Sequence, residues 1–137
     1  MNTGYVKFKG VMVEPFYAQP DDVSPATPGN GVIPAGASVV VCLAGINGVD
    51  DWVTLPSLAQ VQDGHTIKII GNSAGLEVRT PASSAEEINS EDCDGTKEYA
   101  IPSGYEVHYF TKINNTIGWM GAGYTAIGAK TTAVVPD

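Results

Sequence analysis

Gly71-Asn72-Ser73-Ala74-Gly75 has the Gly-x-Ser-x-Gly spacing with which some hydrolases lift a serine nucleophile out of a sharp strand-to-helix turn. That chemistry needs a helix directly after the serine. The residues that follow, Leu76-Glu77-Val78-Arg79-Thr80-Pro81, alternate apolar with polar and end on proline, which is the pattern of a strand. The glycines therefore read as turn residues, and Ser73 receives no catalytic role. A second candidate is the acidic run Glu86-Glu87-Ile88-Asn89-Ser90-Glu91-Asp92-Cys93-Asp94-Gly95, whose oxygens could gather around Ca²⁺. Aligning Asp92, Asp94 and Gly95 with an EF-hand loop puts Ser90 at its first position and Ile101 where the bidentate glutamate belongs. A solvated loop is the simpler reading, with a looser Ca²⁺ site as the alternative.

His65 and His108 are the only histidines, and each falls on the face of its strand opposite the apolar one. Nothing near either has metal-ligand spacing, so zinc is not expected. Cys42 sits in the apolar run 38–44 and Cys93 in the acidic loop, and a reducing compartment disfavours a disulfide between them. No catalytic residue, metal ligand or cofactor is assigned, and an enzyme is not expected.

The positions that remain must be held by β structure. Gly (16) and Pro (9) are spread through the chain and punctuate short clusters of Val, Thr and Ile, while no stretch reads as a long amphipathic helix. The 137 residues suffice for one core without staples. A formal charge of -8 with one arginine, Arg79, makes contact with a phosphate backbone unfavourable, so nucleic acid is not an expected partner. No apolar run is long enough to cross a bilayer, and residues 1–7 lack the features of a secretory signal, so synthesis in a cytoplasm is expected.

Strand candidates fall at 38–43, 52–55, 65–70, 76–80, 97–101, 105–112, 116–120 and 130–135, with turn residues between them. The expected fold is all-β, a compact antiparallel sandwich or barrel of about eight short strands with an N-terminal arm. Residues 1–31 read as a strand and Pro-rich linker, or alternatively as an irregular loop wrapping the domain and pinned by Phe16 and Tyr17; residues 32–137 read as the β domain. Two hairpins are expected. One joins 65–70 to 76–80 through 71–75, and the other joins 97–101 to 105–109 through 102–104, with Tyr105, Val107 and Tyr109 forming a half-buried face. The run 32–39 repeats 100–107 in the pattern Ile-Pro-small-Gly-x-x-Val, read as one turn solution used twice. Trp52 and Trp119 read as core or subunit interface, or as exposed platforms for a sugar.

Between Asp51 and Gly121 the order of elements resembles bacteriophage fibre, spike and head-decoration proteins. The residues concerned are Val53-Thr54-Leu55-Pro56, Gly64 with 67–75, Val78-Arg79-Thr80-Pro81, Ile88-Asn89, 99–107 and the closing Trp119. The acidic insert 91–94 departs from the pattern. The resemblance implies a compact β domain, commonly trimeric, on a virion surface: a capsid-decoration or short head-fibre protein whose partners are the major capsid protein or another virion protein and copies of itself. A receptor- or carbohydrate-binding domain of a tail fibre is the alternative. On this reading Tyr5, Lys7, Phe8 and Lys9 form a capsid-attachment arm, and Trp52, Trp119 and Tyr124 contribute to a ligand site or subunit interface.

Overall fold

The computed structural model describes residues 14–21, 31–45, 50–95 and 97–124. Ten short strands follow in order: β1 (Phe16–Ala18), β2 (Val39–Cys42), β3 (Trp52–Thr54), β4 (Thr66–Ile70), β5 (Leu76–Arg79), β6 (Glu87–Ile88), β7 (Glu91–Asp92), β8 (Tyr99–Ile101), β9 (Val107–Asn114) and β10 (Gly118–Tyr124). They form two sheets, one ordered β1-β2-β4-β9-β10-β6-β7 and one ordered β3-β5-β8. The chain is an all-β, sandwich-like protein. A single 3₁₀ turn, Leu58–Gln60, is the one named helical element among the described residues.

Alternation decides what each strand buries. In β4 the side chains of Ile67 and Ile69 are buried while Thr66 faces water; in β5, Leu76 and Val78 are buried between partly exposed Glu77 and Arg79. Between the sheets lie Val40, Ile67, Ile69, Phe110, Trp119 and Ile88 on one side and Val53, Leu55, Leu76, Val78, Tyr99 and Ile101 on the other.

The expected hairpins do not form. β4 lies in the large sheet and β5 in the small one, so 71–75 carries the chain across the sandwich as a β-arch; 102–106 does the same between β8 and β9. The two crossings lie side by side. The Gly104 amide donates to Ser73 O (3.0 Å), Tyr105 to Asn72 O (3.2 Å) and Gly71 to Glu106 O (2.9 Å). Gly75 is required here: its φ is +87°, and a Cβ would come 2.6 Å from the Ile101 carbonyl oxygen. The pairs that do form hairpins are β9–β10 and the short β6–β7.

The repeated Ile-Pro pattern marks a real equivalence. Ile33 donates to Thr54 O (2.9 Å) beside the small sheet, and the chain then turns at Pro34 and enters β2 of the large sheet. Ile101 ends β8, and the chain turns after Pro102 and enters β9. Both isoleucines are buried.

Alternation between sheets also explains why the sheets are mixed rather than antiparallel. Equivalent passes of such a winding run in the same direction and pair in parallel: β2 with β4, Val32 with Thr54, and β3 with β5. The N-terminal region joins this scheme. β1 pairs in parallel with β2, Asp21 bridges to Trp52, and Phe16 packs against the core while Tyr17 faces outward.

Candidate functional site

β9 presents an unexpected face to the interior. Tyr105 is exposed and precedes the strand at φ +60°, and Val107 and Tyr109 point outward, whereas Glu106, His108, Phe110 and Lys112 are buried. The expectation that His108 faces outward is thereby reversed. Both faces of this strand carry apolar side chains, so alternation alone could not choose between them. The clue lies on β10, where Gly121 is in register with Phe110 and Gly123 with His108. A Cβ on Gly121 would meet the Phe110 and Tyr99 rings at 2.9 Å, and one on Gly123 would fall within the His108 imidazole. The glycines make room for three inward rings, packed edge to face: Tyr99–His108 centroids are 5.5 Å apart and Tyr99–Phe110 centroids 4.8 Å.

His108 joins a hydrogen-bonded chain across the core. Its Nε2 lies 2.9 Å from Glu106 Oε1, and its Nδ1 lies 2.7 Å from the Tyr99 hydroxyl. With Glu106 ionised, Nε2–H donates to the carboxylate and Nδ1 accepts from Tyr99, which satisfies a neutral ring. Burial lowers the His108 pKa more than the neighbouring carboxylate raises it, and burial, followed by Glu106, raises that of Tyr99. The order hydroxyl–imidazole–carboxylate is that of a nucleophile triad. However, Tyr99 and His108 are fully buried, and none of four surface depressions is lined by Tyr99, His108 or Glu106. In this arrangement the chain ties the small sheet to the large one.

The other chemistry-bearing residues are similarly committed. Ser73 is exposed in its arch and its carbonyl accepts from Gly104, while Asn72 forms an Asx turn with the Ala74 amide (3.1 Å) and donates to Leu43 O (2.9 Å). His65 Nε2 lies 2.9 Å from Ala37 O. Part of the acidic run forms the β6–β7 ribbon; Glu91 pairs with Lys97, and Glu86 turns inward to the 3₁₀ turn. Asn89, at φ +54°, uses its side-chain amide as a substitute strand partner for β10: its Nδ2 donates to Gly121 O (3.2 Å) and its Oδ1 accepts from Gly121 N (2.9 Å). Cys42 and Cys93 are free thiols whose pKa values burial pushes up to about 12 and about 11.

Of the sequence-predicted surface residues, Tyr5, Lys7, Phe8 and Lys9 lie outside the described residues. Trp119 takes the core alternative and not the ligand or interface one: it follows a β-bulge at Gly118 and is fully buried. Trp52 is covered by the Arg79 guanidinium, 4.1 Å above the ring, and Arg79 is held in turn by Glu77 (2.8 Å) and Glu98 (3.0 Å). Tyr124 is on the surface, where it packs edge-on to Tyr109 with centroids 6.1 Å apart.

Tyr124 belongs to a larger feature. Register places Tyr17, Val41, Ile70, Val107 and Tyr124 side by side across five strands on the outer face of the large sheet. Beside this row run Val39, Lys68, Tyr109 and Ala122, and beyond them Thr66, Thr111 and Met120. Lys68 is the only charged side chain among the outward positions of β1, β2, β4, β9 and β10. A depression of about 500 Å³ is lined, among the described residues, by Tyr109, Ala122 and Tyr124. No protein-family model matches the chain, and no curated protein matches it.

Proposed function

We propose that this is a structural protein of a bacteriophage virion surface, decorating or stabilising the capsid through contacts with the major capsid protein or another virion protein. The observation that carries the reading is the apolar outer face of the large sheet. The Tyr99–His108–Glu106 chain is spent inside the fold, whereas a broad aliphatic and aromatic surface on β1, β2, β4, β9 and β10 faces water, and contiguous patches of this kind mark association surfaces. The resemblance to virion proteins supplies the setting. Its elements fall at joints of the structure: Pro56 after β3, the two stacked arches, Asn89 at the edge of β10, and the buried Trp119.

The test is cosedimentation of the purified protein with intact particles that lack it. Saturable binding at a fixed ratio to the major capsid protein is expected. Failure to sediment with any particle, while the protein remains folded by circular dichroism, would remove the virion reading.

A further inference from the structure

We infer that the outer face of the large sheet binds an apolar protein segment of a virion partner, one that carries a carboxylate for Lys68 and an apolar side chain for the depression beside Tyr124. This rests on the assembly reading for its setting and deepens it by naming the chemistry the partner must present.

Charge complementarity selects this occupant. The lysines and arginine among the described residues are Lys68, Arg79, Lys97 and Lys112. Arg79 pairs with Glu77 and Glu98, Lys97 with Glu91 and Lys112 with Asp63, whereas Lys68 meets none of the described carboxylates. The chain carries -8 overall, yet this ammonium group stands unpaired and half-buried, flanked in register by Val39 on β2 and Tyr109 on β9. The outward positions of β1, β2, β4, β9 and β10 offer it no carboxylate. A partner that covered the face with apolar groups alone would strip water from the ammonium and return nothing, while one carboxylate over Lys68 turns the same burial into a charge-assisted hydrogen bond. Two copies of the chain pressed together by this face would bury two Lys68 groups and no acid, which disfavours self-pairing here. Position adds a second requirement. Tyr109 is in register with Ala122, and both line the depression of about 500 Å³ together with Tyr124. Ala122 lies two strands from Lys68, about 10 Å away at the usual strand spacing, so about three residues of extended chain reach both.

The experiment measures binding of the purified full-length chain to intact particles that lack it, for the unaltered protein, Lys68→Met and Lys68→Arg, each checked for folding by circular dichroism. The sign of the Lys68→Met effect decides. A partner carboxylate left without its cation should weaken binding about tenfold or more, and Lys68→Arg should restore most of it. Equal or tighter binding of Lys68→Met means a wholly apolar occupant and overturns the inference while the virion reading stands. If the unaltered chain binds no particle, the virion reading fails and the inference with it. Should Lys68→Met fail to fold, partial chemical modification of the unaltered chain takes its place, since acetylation cancels the lysine charge and reductive methylation keeps it. Particles should leave behind the chains acetylated at Lys68 and retain those methylated there, with modification at Lys97, on the acidic loop, distributed evenly; an even distribution of acetylated Lys68 overturns the inference. A dimer mass for the free chain by sedimentation equilibrium, with Lys68 already protected from acetylation, gives the face to a second copy and overturns it as well.

Discussion

Glu86 and Lys112 grip opposite ends of the same turn. The Leu58 amide donates to both Glu86 carboxylate oxygens (3.1 and 3.2 Å) and Ser57 Oγ adds a third bond (3.1 Å), while Lys112 Nζ, buried on β9, donates to the carbonyls of Leu58 (2.7 Å) and Val61 (2.6 Å). A 3₁₀ turn leaves unpaired amides at its start and unpaired carbonyls at its end; Glu86 takes the Leu58 amide, and Lys112 takes the Val61 carbonyl just past the end while adding a second donor to Leu58 O, which already accepts from the Val61 amide.

Replacing Lys112 with Met keeps the apolar stem but removes the donor to the Val61 carbonyl and leaves Leu58 O with the Val61 amide (3.2 Å) alone. The expected cost is about 2–3 kcal/mol, since hydrogen bonds to a charged group contribute about 1.5–3 kcal/mol. Glu86→Gln, which retains one acceptor, should cost about 1 kcal/mol. Urea midpoints at unchanged m value check both.

The buried Tyr99–His108–Glu106 chain makes stability depend on pH. Burial holds the His108 pKa below its ordinary 6.5, so between that value and the folded pKa the unfolded chain binds the extra proton. The contribution is therefore complete above pH 6.5 and is lost as pH falls toward the folded pKa. Protonation also turns Nδ1 into a donor and leaves the Tyr99 hydroxyl proton without its acceptor. Chemical denaturation between pH 7.5 and 5.5 should show falling stability in the unaltered protein and a flatter profile in His108→Gln; parallel profiles would show that another group titrates.

Two glycines should respond oppositely to alanine. Gly123→Ala drives a methyl group into the His108 ring and should cost about 2–3 kcal/mol through overpacking. A Cβ at Gly36 meets nothing within 4 Å and the backbone is outside the left-handed region, so Gly36→Ala should be neutral or stabilise by about 0.5 kcal/mol. Thermal melts of the pair provide the comparison.

Neighbouring arch residues should likewise separate. Asn72→Ala loses the Asx turn and leaves the Leu43 carbonyl without its donor, at an expected cost of about 1–3 kcal/mol. Ser73→Ala, at an exposed side chain, should stay within about 0.5 kcal/mol of the parent. A large effect at Ser73 would contradict the arch geometry.

The sequence by itself determined where most of the described strands lie, though not β1 or the β6–β7 ribbon, which it read as linker and solvated loop. Val39–Cys42, Thr66–Ile70 and Leu76–Arg79 follow from apolar alternation bounded by turn residues, because a strand's two faces are written at a period of two. The same local signal exposed the likeness between the turns after Ile33 and Ile101. Only the tertiary structure decided which sheet each strand joins. A glycine-rich turn between two alternating runs serves a hairpin or an arch equally well, and the choice rests on distant partners: β2 and β9 for β4, β3 and β8 for β5. The orientation of β9 was settled in the same way. With apolar residues on both of its faces, the glycines of β10 opposite His108 and Phe110 fixed which side turned inward, burying the Tyr99–His108–Glu106 chain and leaving Tyr109 on the outer face beside Val107 and Tyr124.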